Sequence, residues 1–371
     1  MIVFVPTYNR TKVLPFVVQS ILNSDISGID DRLVVLIHNN YPPAKKEIDE
    51  LIDHVSKETR FEFKVIHREK VIIPLDAWFQ AIFSVANEDE TVIILGDDDL
   101  VTPWGIKNRF IEINRLNGDF LLSNFIQRIY FFDGGMSCWP NFGEIDIPKG
   151  ITEARKWTYS AEGHTNTTFI SNHCFRNTKV FRDGLNEAFS WCNQQQWAPR
   201  IYTTGLIPSY LTYAIQASGG NVLSFDEKSV IRGSIFEEAV KGDYSDGGST
   251  SFYCLLTLNI FSNKKIHKDI EQYESLRDLY LKALRSNFFE ILGNKNISFS
   301  MIHLGLKNTG LKWSNLLGIE LFNYRSFLSL FPFIRGRELK REFRKQSNLK
   351  PTHLFLDELK QRYKNEKHYD Q

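Results

Sequence analysis

The apolar positions of the first hundred residues change period repeatedly. "IVFVP" is a short β-branched and aromatic run that stops at Pro6, the pattern of a strand entering a loop. Apolar residues then recur at Val13, Leu14, Val17, Val18, Ile21 and Leu22, a helical spacing that tolerates Pro15 in its early turn. "RLVVLIHNN" reads as a second strand, continuous rather than alternating, as a parallel sheet covered on both faces requires. "AKKEIDELIDHVSKE" sets Ile48, Leu51, Ile52 and Val55 on one face of a charged helix. "FEFKVIHR", "DAWFQAIFSVA" and "TVIIL" continue as strand, helix and strand. This alternation predicts an α/β fold with a doubly wound, mostly parallel sheet.

Ligands bind such sheets at the carboxyl ends of the strands. Three polar clusters fall at those ends: "PTYNR" after the first strand, "HNN" after the second and "GDDD" after the fourth. The last places Asp97, Asp98 and Asp99 side by side, where mutual repulsion calls for full solvation or a neutralising cation. An exposed acidic turn is the ordinary reading of three aspartates. It does not predict their coincidence with two other polar loops along one sheet edge.

The second half is less regular. "GNVLSF" reads as a last strand, and "IRGSIFEEAVKGDYSDGGSTSFY" after it is rich in glycine and small polar residues. That stretch reads equally as a plain linker or as a lid over a bound ligand, with Arg232 supplying charge. From Tyr253 the spacing turns helical, so residues 1–252 are expected to form the ligand-binding unit and residues 253–371 a helical C-terminal region. Within the latter, "FNYRSFLSLFPFIRGRELKREFRK" carries apolar residues ahead of Arg335, Arg337, Lys340, Arg341, Arg344 and Lys345. Such a segment suits an anionic membrane surface, or the charged outer face of an ordinary helix.

Composition narrows the class. With 42% hydrophobic and 24% charged residues the chain is an ordinary globular protein. Lys+Arg 45 against Asp+Glu 44 leaves a formal net charge of +1, so no global field favours a nucleic-acid partner. Four scattered cysteines without a CxxC pair argue against structural zinc or a disulfide framework and fit a reducing cytosol. No secretory signal or membrane-spanning run is legible, so the expected location is cytoplasmic, extending to the inner face of the membrane.

"FVPTYNR", "LIHNN" and "IFSVANEDETVIILGDDDLVTPWGI" together resemble the GT-A glycosyltransferases of the family-2 type, whose fourth strand ends in a DXD-type acidic motif. The resemblance covers roughly the first 120 residues well. It implies a GT-A, Rossmann-like fold, a nucleotide-sugar donor, and a glycan or lipid-linked glycan acceptor in surface polysaccharide synthesis. It also implies inverting chemistry that depends on Mn²⁺ or Mg²⁺. By resemblance, Thr7, Tyr8, Arg10 and Asn39 hold the nucleobase, Asp97 faces the ribose, and Asp98 or Asp99 holds the metal. Asn39 stands where many relatives carry Asp, and Gly96 stands where they carry the leading Asp of the motif.

An inverting transferase needs a carboxylate to take the acceptor's hydroxyl proton. Relatives draw it from an acidic pair that here falls near Cys192, Asn193 and Gln194, none of which is a carboxylate. Glu187, expected in a loop facing the donor, is the named candidate, with Asp183, His164 and His173 as alternatives. "QQQW" is similar to part of a motif of processive synthases but lacks its arginine. The missing pair also admits a second class, a catalytically inactive nucleotide-sugar-binding subunit of a polysaccharide assembly complex. A nucleotidyltransferase is a weaker third, since no glycine-rich loop follows the first strand.

Overall fold

In the computed structural model, the described residues are 1–72, 74–115, 120–132, 135–138, 150–153, 170–194, 211, 214, 221–233, 255–259, 270–286, 288–293 and 297–318. The chain opens with strand β1 (Ile2–Thr7), helix α1 (Leu14–Leu22), β2 (Val34–Asn39), α2 (Lys45–Val55), β3 (Glu62–His67), α3 (Pro74–Val85) and β4 (Thr91–Ile94). This is the expected alternation. It is followed by β5 (Leu100–Val101), α4 (Gly105–Arg115), β6 (Phe120–Phe132), β7 (Gly135–Cys138), β8 (Gly150–Glu153) and β9 (His173–Arg176). Helix α5 (Lys179–Gln194) and strand β10 (Asn221–Arg232) come next. The C-terminal region contributes α6 (Ile270–Ser286), α7 (Phe288–Gly293) and α8 (Phe299–Asn308).

The sheet runs β3-β2-β1-β4-β9-β6-β10-β5, with β7 on β6 and β8 on β10. Strands β3, β2, β1 and β4 are all parallel, as right-handed helical crossovers dictate. Beyond them the sheet is mixed, because β9 returns antiparallel to β4 and β6 pairs antiparallel to β9. The last strand expected at "GNVLSF" continues through Arg232, with register shifts against β6.

The continuous apolar strands are explained by two apolar layers. Ile2, Phe4, Val34, Leu36, Val92 and Ile94 face one side, where α3 and α5 cover them through Phe79, Ile82, Phe181, Leu185 and Ala188. Val3, Val5, Val35, Ile37 and Ile93 face the other, under α1, α2 and α4 through Val17, Ile21, Ile48, Ile106 and Ile113. Neighbouring residues of one strand thus enter different cores, as the period of two requires. Strand β3 is half-buried, which its edge position accounts for. In the C-terminal region Leu255, Tyr280, Leu284, Ile291 and Leu306 join the first layer, so its described part adds to the same core. The expected boundary at 252/253, the glycine-rich stretch after Gly233 and the basic segment 335–345 lie outside the described residues. Among the described residues, no helix is long and apolar enough to cross a membrane.

Candidate functional site

The three polar clusters meet along one edge of the sheet. Parallel registry carries β1 and β2 to the same level, Thr7 beside Asn39, and the Asn40 N–H donates to the Thr7 carbonyl at 3.0 Å. β4 stops beside Phe4, where the Leu95 N–H donates to the Phe4 carbonyl, and the chain then turns through the aspartates before entering β5. The turn is tight: the Asp99 N–H returns to the Gly96 carbonyl at 3.2 Å, which leaves Asp97 and Asp98 as its two central residues.

The β1 loop is built to face that turn. Asn9 has φ +53°, a left-handed conformation that Asn tolerates better than most residues. The Tyr8 N–H donates to Asp97 Oδ2 at 3.2 Å, and Arg10 Nη1 lies 3.0 Å from Asp97 Oδ1 and 2.8 Å from Asp98 Oδ2. One guanidinium nitrogen therefore bridges two carboxylates and offsets their repulsion. Tyr8 is left 52% exposed, and its ring packs edge to face on Tyr41. Asp97 is buried, and burial is the main reason its carboxyl is raised to about 6; the Asp98 charge adds to this, while Arg10 and the donors from Tyr8 and Thr7 oppose it.

Asp99 faces the other way. It is buried, accepting from the Ser171 hydroxyl at Oδ2 and from the Gly233 N–H at Oδ1, 2.8 Å away. Burial first, and the Asp98 charge second, raise its carboxyl to about 7 against those two donors and Arg232. The glycine at position 96 follows from this packing. A Cβ there would lie 2.8 Å from Asp99 Oδ2 and 3.2 Å from Ser171 Oγ, so a side chain at this position would displace the Asp99 carboxylate from its present place.

Asn39 is fully buried and its carboxamide is engaged inside the protein. Its Oδ1 accepts from the Tyr41 N–H at 2.9 Å, and its Nδ2 lies 3.1 Å from His67 Nδ1. The opposite ring nitrogen of His67 is 2.8 Å from Asp49. Asn39 thus orients the turn that carries Tyr41. Asn40 clamps the loop after β3, donating to the Ile72 carbonyl at 2.7 Å and accepting the Ile72 N–H at 2.9 Å. Arg68, at the carboxyl end of β3, donates from Nε to His38 Nε2 at 2.9 Å and from Nη2 to the Ala77 carbonyl. His38 is buried, and burial, with Arg68 second, lowers it to about 4, so it stays a neutral acceptor.

The acceptor-side candidates make no hydrogen bond or ion pair with the aspartates among the described residues. Glu187 lies on helix α5 rather than in a loop, a correction with a plain cause. Phe181, Leu185 and Ala188 form the buried stripe of that helix and leave Glu187 on its exposed side. Asp183 is exposed and pairs with Lys179 at 2.6 Å, one helical turn away. His173 is buried in β9, its Nδ1 2.9 Å from the Ile170 carbonyl, as a core-packed histidine would be. His164 lies outside the described residues. Arg68, Tyr41, Ser171 and Gly233 were not marked by sequence reasoning; only the placement of Arg68 and Tyr41 just past strand ends could have marked them.

Among the described residues, no group of three or more His, Cys, Asp or Glu side chains converges as a metal cage. The donor chemistry present is all oxygen, which suits Mg²⁺ or Mn²⁺ bound through one or two carboxylates with phosphate and water completing the shell. Among the described residues, Asp98 is the aspartate of the three that accepts from no backbone N–H or hydroxyl; its side chain is 18% exposed and meets Arg10.

No protein-family model matches the chain, and no curated protein matches it in sequence. Among solved structures it is similar to S. aureus TarS 1–349 in complex with UDP-GlcNAc, with a TM-score of 0.53 at 12% identity, over 93% of this chain and 91% of that one. It is likewise similar to S. aureus TarS at a TM-score of 0.51 and 12% identity, over 92% of this chain and 55% of that one. Identity this low speaks to the fold alone. The fold is a Rossmann-like α/β architecture of the GT-A type.

Proposed function

We propose that the protein is a glycosyltransferase of the family-2 type. It moves a sugar from a nucleoside diphosphate sugar to a glycan or lipid-linked glycan acceptor in surface polysaccharide synthesis. The observation that carries this reading is the junction of Tyr8 and Arg10 with the Asp97–Asp98 turn at the carboxyl edge of the sheet. The fold shared with a structure holding UDP-GlcNAc supports it.

In this reading the exposed Tyr8 ring, buttressed by Tyr41, offers a face for the nucleobase, and Asp97 stands toward the ribose. Asp98 holds the divalent cation, with Asp99 behind it as the anchored end of the turn. A bound Mg²⁺ or Mn²⁺ supplies Lewis-acid stabilisation of the departing diphosphate. Arg10, which meets both carboxylates, would turn to a phosphate once a cation offsets their charge. Glu187 remains the candidate base for the acceptor hydroxyl. If it has that role, Glu187→Gln lowers turnover about 10²–10⁴-fold with donor binding preserved.

The test is a screen of nucleotide sugars with Mn²⁺ for thermal stabilisation, followed by assay of nucleoside diphosphate release. Binding together with acceptor-dependent release supports the transferase; failure to bind any nucleotide sugar refutes it. The absence of a carboxylate at Cys192, Asn193 and Gln194, where relatives carry their acidic pair, favours as a second reading a subunit that binds nucleotide sugar without turning it over. Binding without release identifies that subunit.

A further inference from the structure

Ser171 is a fully buried residue in the turn before β9 that grips both corners of the acidic turn. Its Oγ accepts the Gly96 N–H at 2.7 Å and directs its own hydrogen to Asp99 Oδ2. With the Gly96 N–H already on the oxygen, the hydroxyl proton is free for Asp99. Both partners are distant in sequence, 75 and 72 residues away. The Gly233 N–H holds the second oxygen of Asp99 from the end of β10. The corners of the turn are therefore pinned inward, and its central residues, Asp97 and Asp98, are left to project toward Arg10 and the Tyr8 loop.

Ser171 is itself held from below. Arg109, fully buried on α4, donates from Nη1 to the Ser171 carbonyl at 3.0 Å and from Nε to the Gly105 carbonyl at 2.9 Å. A buried guanidinium is costly unless its donors are used; two carbonyls receive this one, while its Nη2 has no partner among the described residues. Gly105 is packed so closely on the Ser229 carbonyl that no side chain fits between α4 and β10. Ser171 is thus tied to α4, which packs tightly against β10.

We propose that Ser171 is a positioning residue for the donor site: by pinning Gly96 and Asp99, with Arg109 fixing its backbone, it turns Asp97 and Asp98 toward the nucleoside diphosphate and its cation. This inference rests on the nucleotide-sugar reading above. It assigns Ser171 no contact with donor or acceptor; its effect passes through the turn.

The test is the affinity of the purified full chain for nucleoside diphosphates (UDP, GDP, CDP, ADP and dTDP), each with Mn²⁺, measured by calorimetry. The tightest becomes the probe. Ser171→Ala should weaken that probe about 10-fold or more, the usual effect of removing a group that orients metal-site residues. Ser171→Thr, which keeps the hydroxyl, should recover most of the loss. Ser171→Cys, nearly the same shape with a poor donor, should not, and it serves if the alanine variant does not fold. In a double-mutant cycle Ser171→Ala with Asp99→Asn should lose less than the product of the two single losses, because both variants break the shared Ser171–Asp99 contact. A folded Ser171→Ala or Ser171→Cys protein within twofold of wild type, or losses that simply multiply in the double variant, would overturn the positioning role. Failure of the wild-type chain to bind any of the five diphosphates overturns the nucleotide-sugar reading, and the inference with it.

Discussion

The rings of Tyr8 and Tyr41 meet edge to face with centroids 5.4 Å apart, joining the loop after β1 to the loop after β2. Tyr41 is set by the Asn39 carboxamide, so the exposed face of Tyr8 is braced from a second strand. A base stacked on such a ring contributes about 1–3 kcal/mol. Tyr8→Ala should weaken nucleotide binding about 10-fold or more, while Tyr8→Phe should bind like wild type. Calorimetry with the preferred nucleoside diphosphate checks this, and equal affinity for all three proteins would remove Tyr8 from the site.

A second prediction follows from the raised carboxyl of Asp99. Its folded value, about 7, lies above the ordinary 3.8 because burial disfavours the charge. The folded state then holds its proton more tightly than the unfolded chain. The contribution to stability is present below the ordinary value and is lost as pH rises through the folded one. Without divalent cation, Asp99→Asn should therefore gain in melting temperature relative to wild type as pH goes from 5 to 8. A constant difference across that range would show that Asp99 does not titrate as described.

Third, Gly105 has no space for a side chain, since a Cβ would press on the Ser229 carbonyl and lie 2.9 Å from Thr102 Oγ1 and from Val101 Cγ2. Gly105→Ala should destabilise the protein by about 1–3 kcal/mol, the usual cost of overpacking, despite alanine's better helix propensity. Chemical denaturation measures it, and unchanged stability would mean that α4 can shift away from β10.

A fourth prediction concerns the segment with Arg335, Arg337, Lys340, Arg341, Arg344 and Lys345. If it docks on lipid, the chain should cosediment with anionic vesicles, and less so as salt shortens the screening length below about 8–10 Å. Replacing Arg341, Arg344 and Lys345 with Gln should weaken the association without altering turnover on a soluble acceptor. Equal binding to neutral and anionic vesicles would assign the segment to an ordinary charged helix face.

The parallel half of the fold was legible because its strands are buried on both faces. Residues such as Val34, Val35, Leu36 and Ile37 must all be apolar when alternate ones enter different layers. The edge shared by the three loops was legible as well, since parallel strands joined by helical crossovers all end on one side of the sheet. Orientation was not. Asn39 is placed as expected in the chain, yet whether its carboxamide faces a ligand or His67 depends on contacts 28 residues away. Ser171 carries no periodic signal in "FISNHC", and its role arises from the antiparallel return of β9 beside β4. Glu187 differs, because the spacing of Phe181, Leu185 and Ala188 already described a helix that leaves it on the exposed side.

The mixed half of the sheet also sets an order of assembly. Strands β1 to β4 pair through short crossovers, whereas the grip on the acidic turn closes loops of 75 residues at Gly96–Ser171 and 134 residues at Asp99–Gly233. Contacts of such separation form late, since chain entropy must be lost before they contribute. Until β9 arrives, β4 has an unpaired outer edge that ends in three aspartates, and charge at an edge disfavours addition of another chain. Charge at the end of an apolar strand is one of the features that discourage edge-to-edge pairing while a neighbour is still missing.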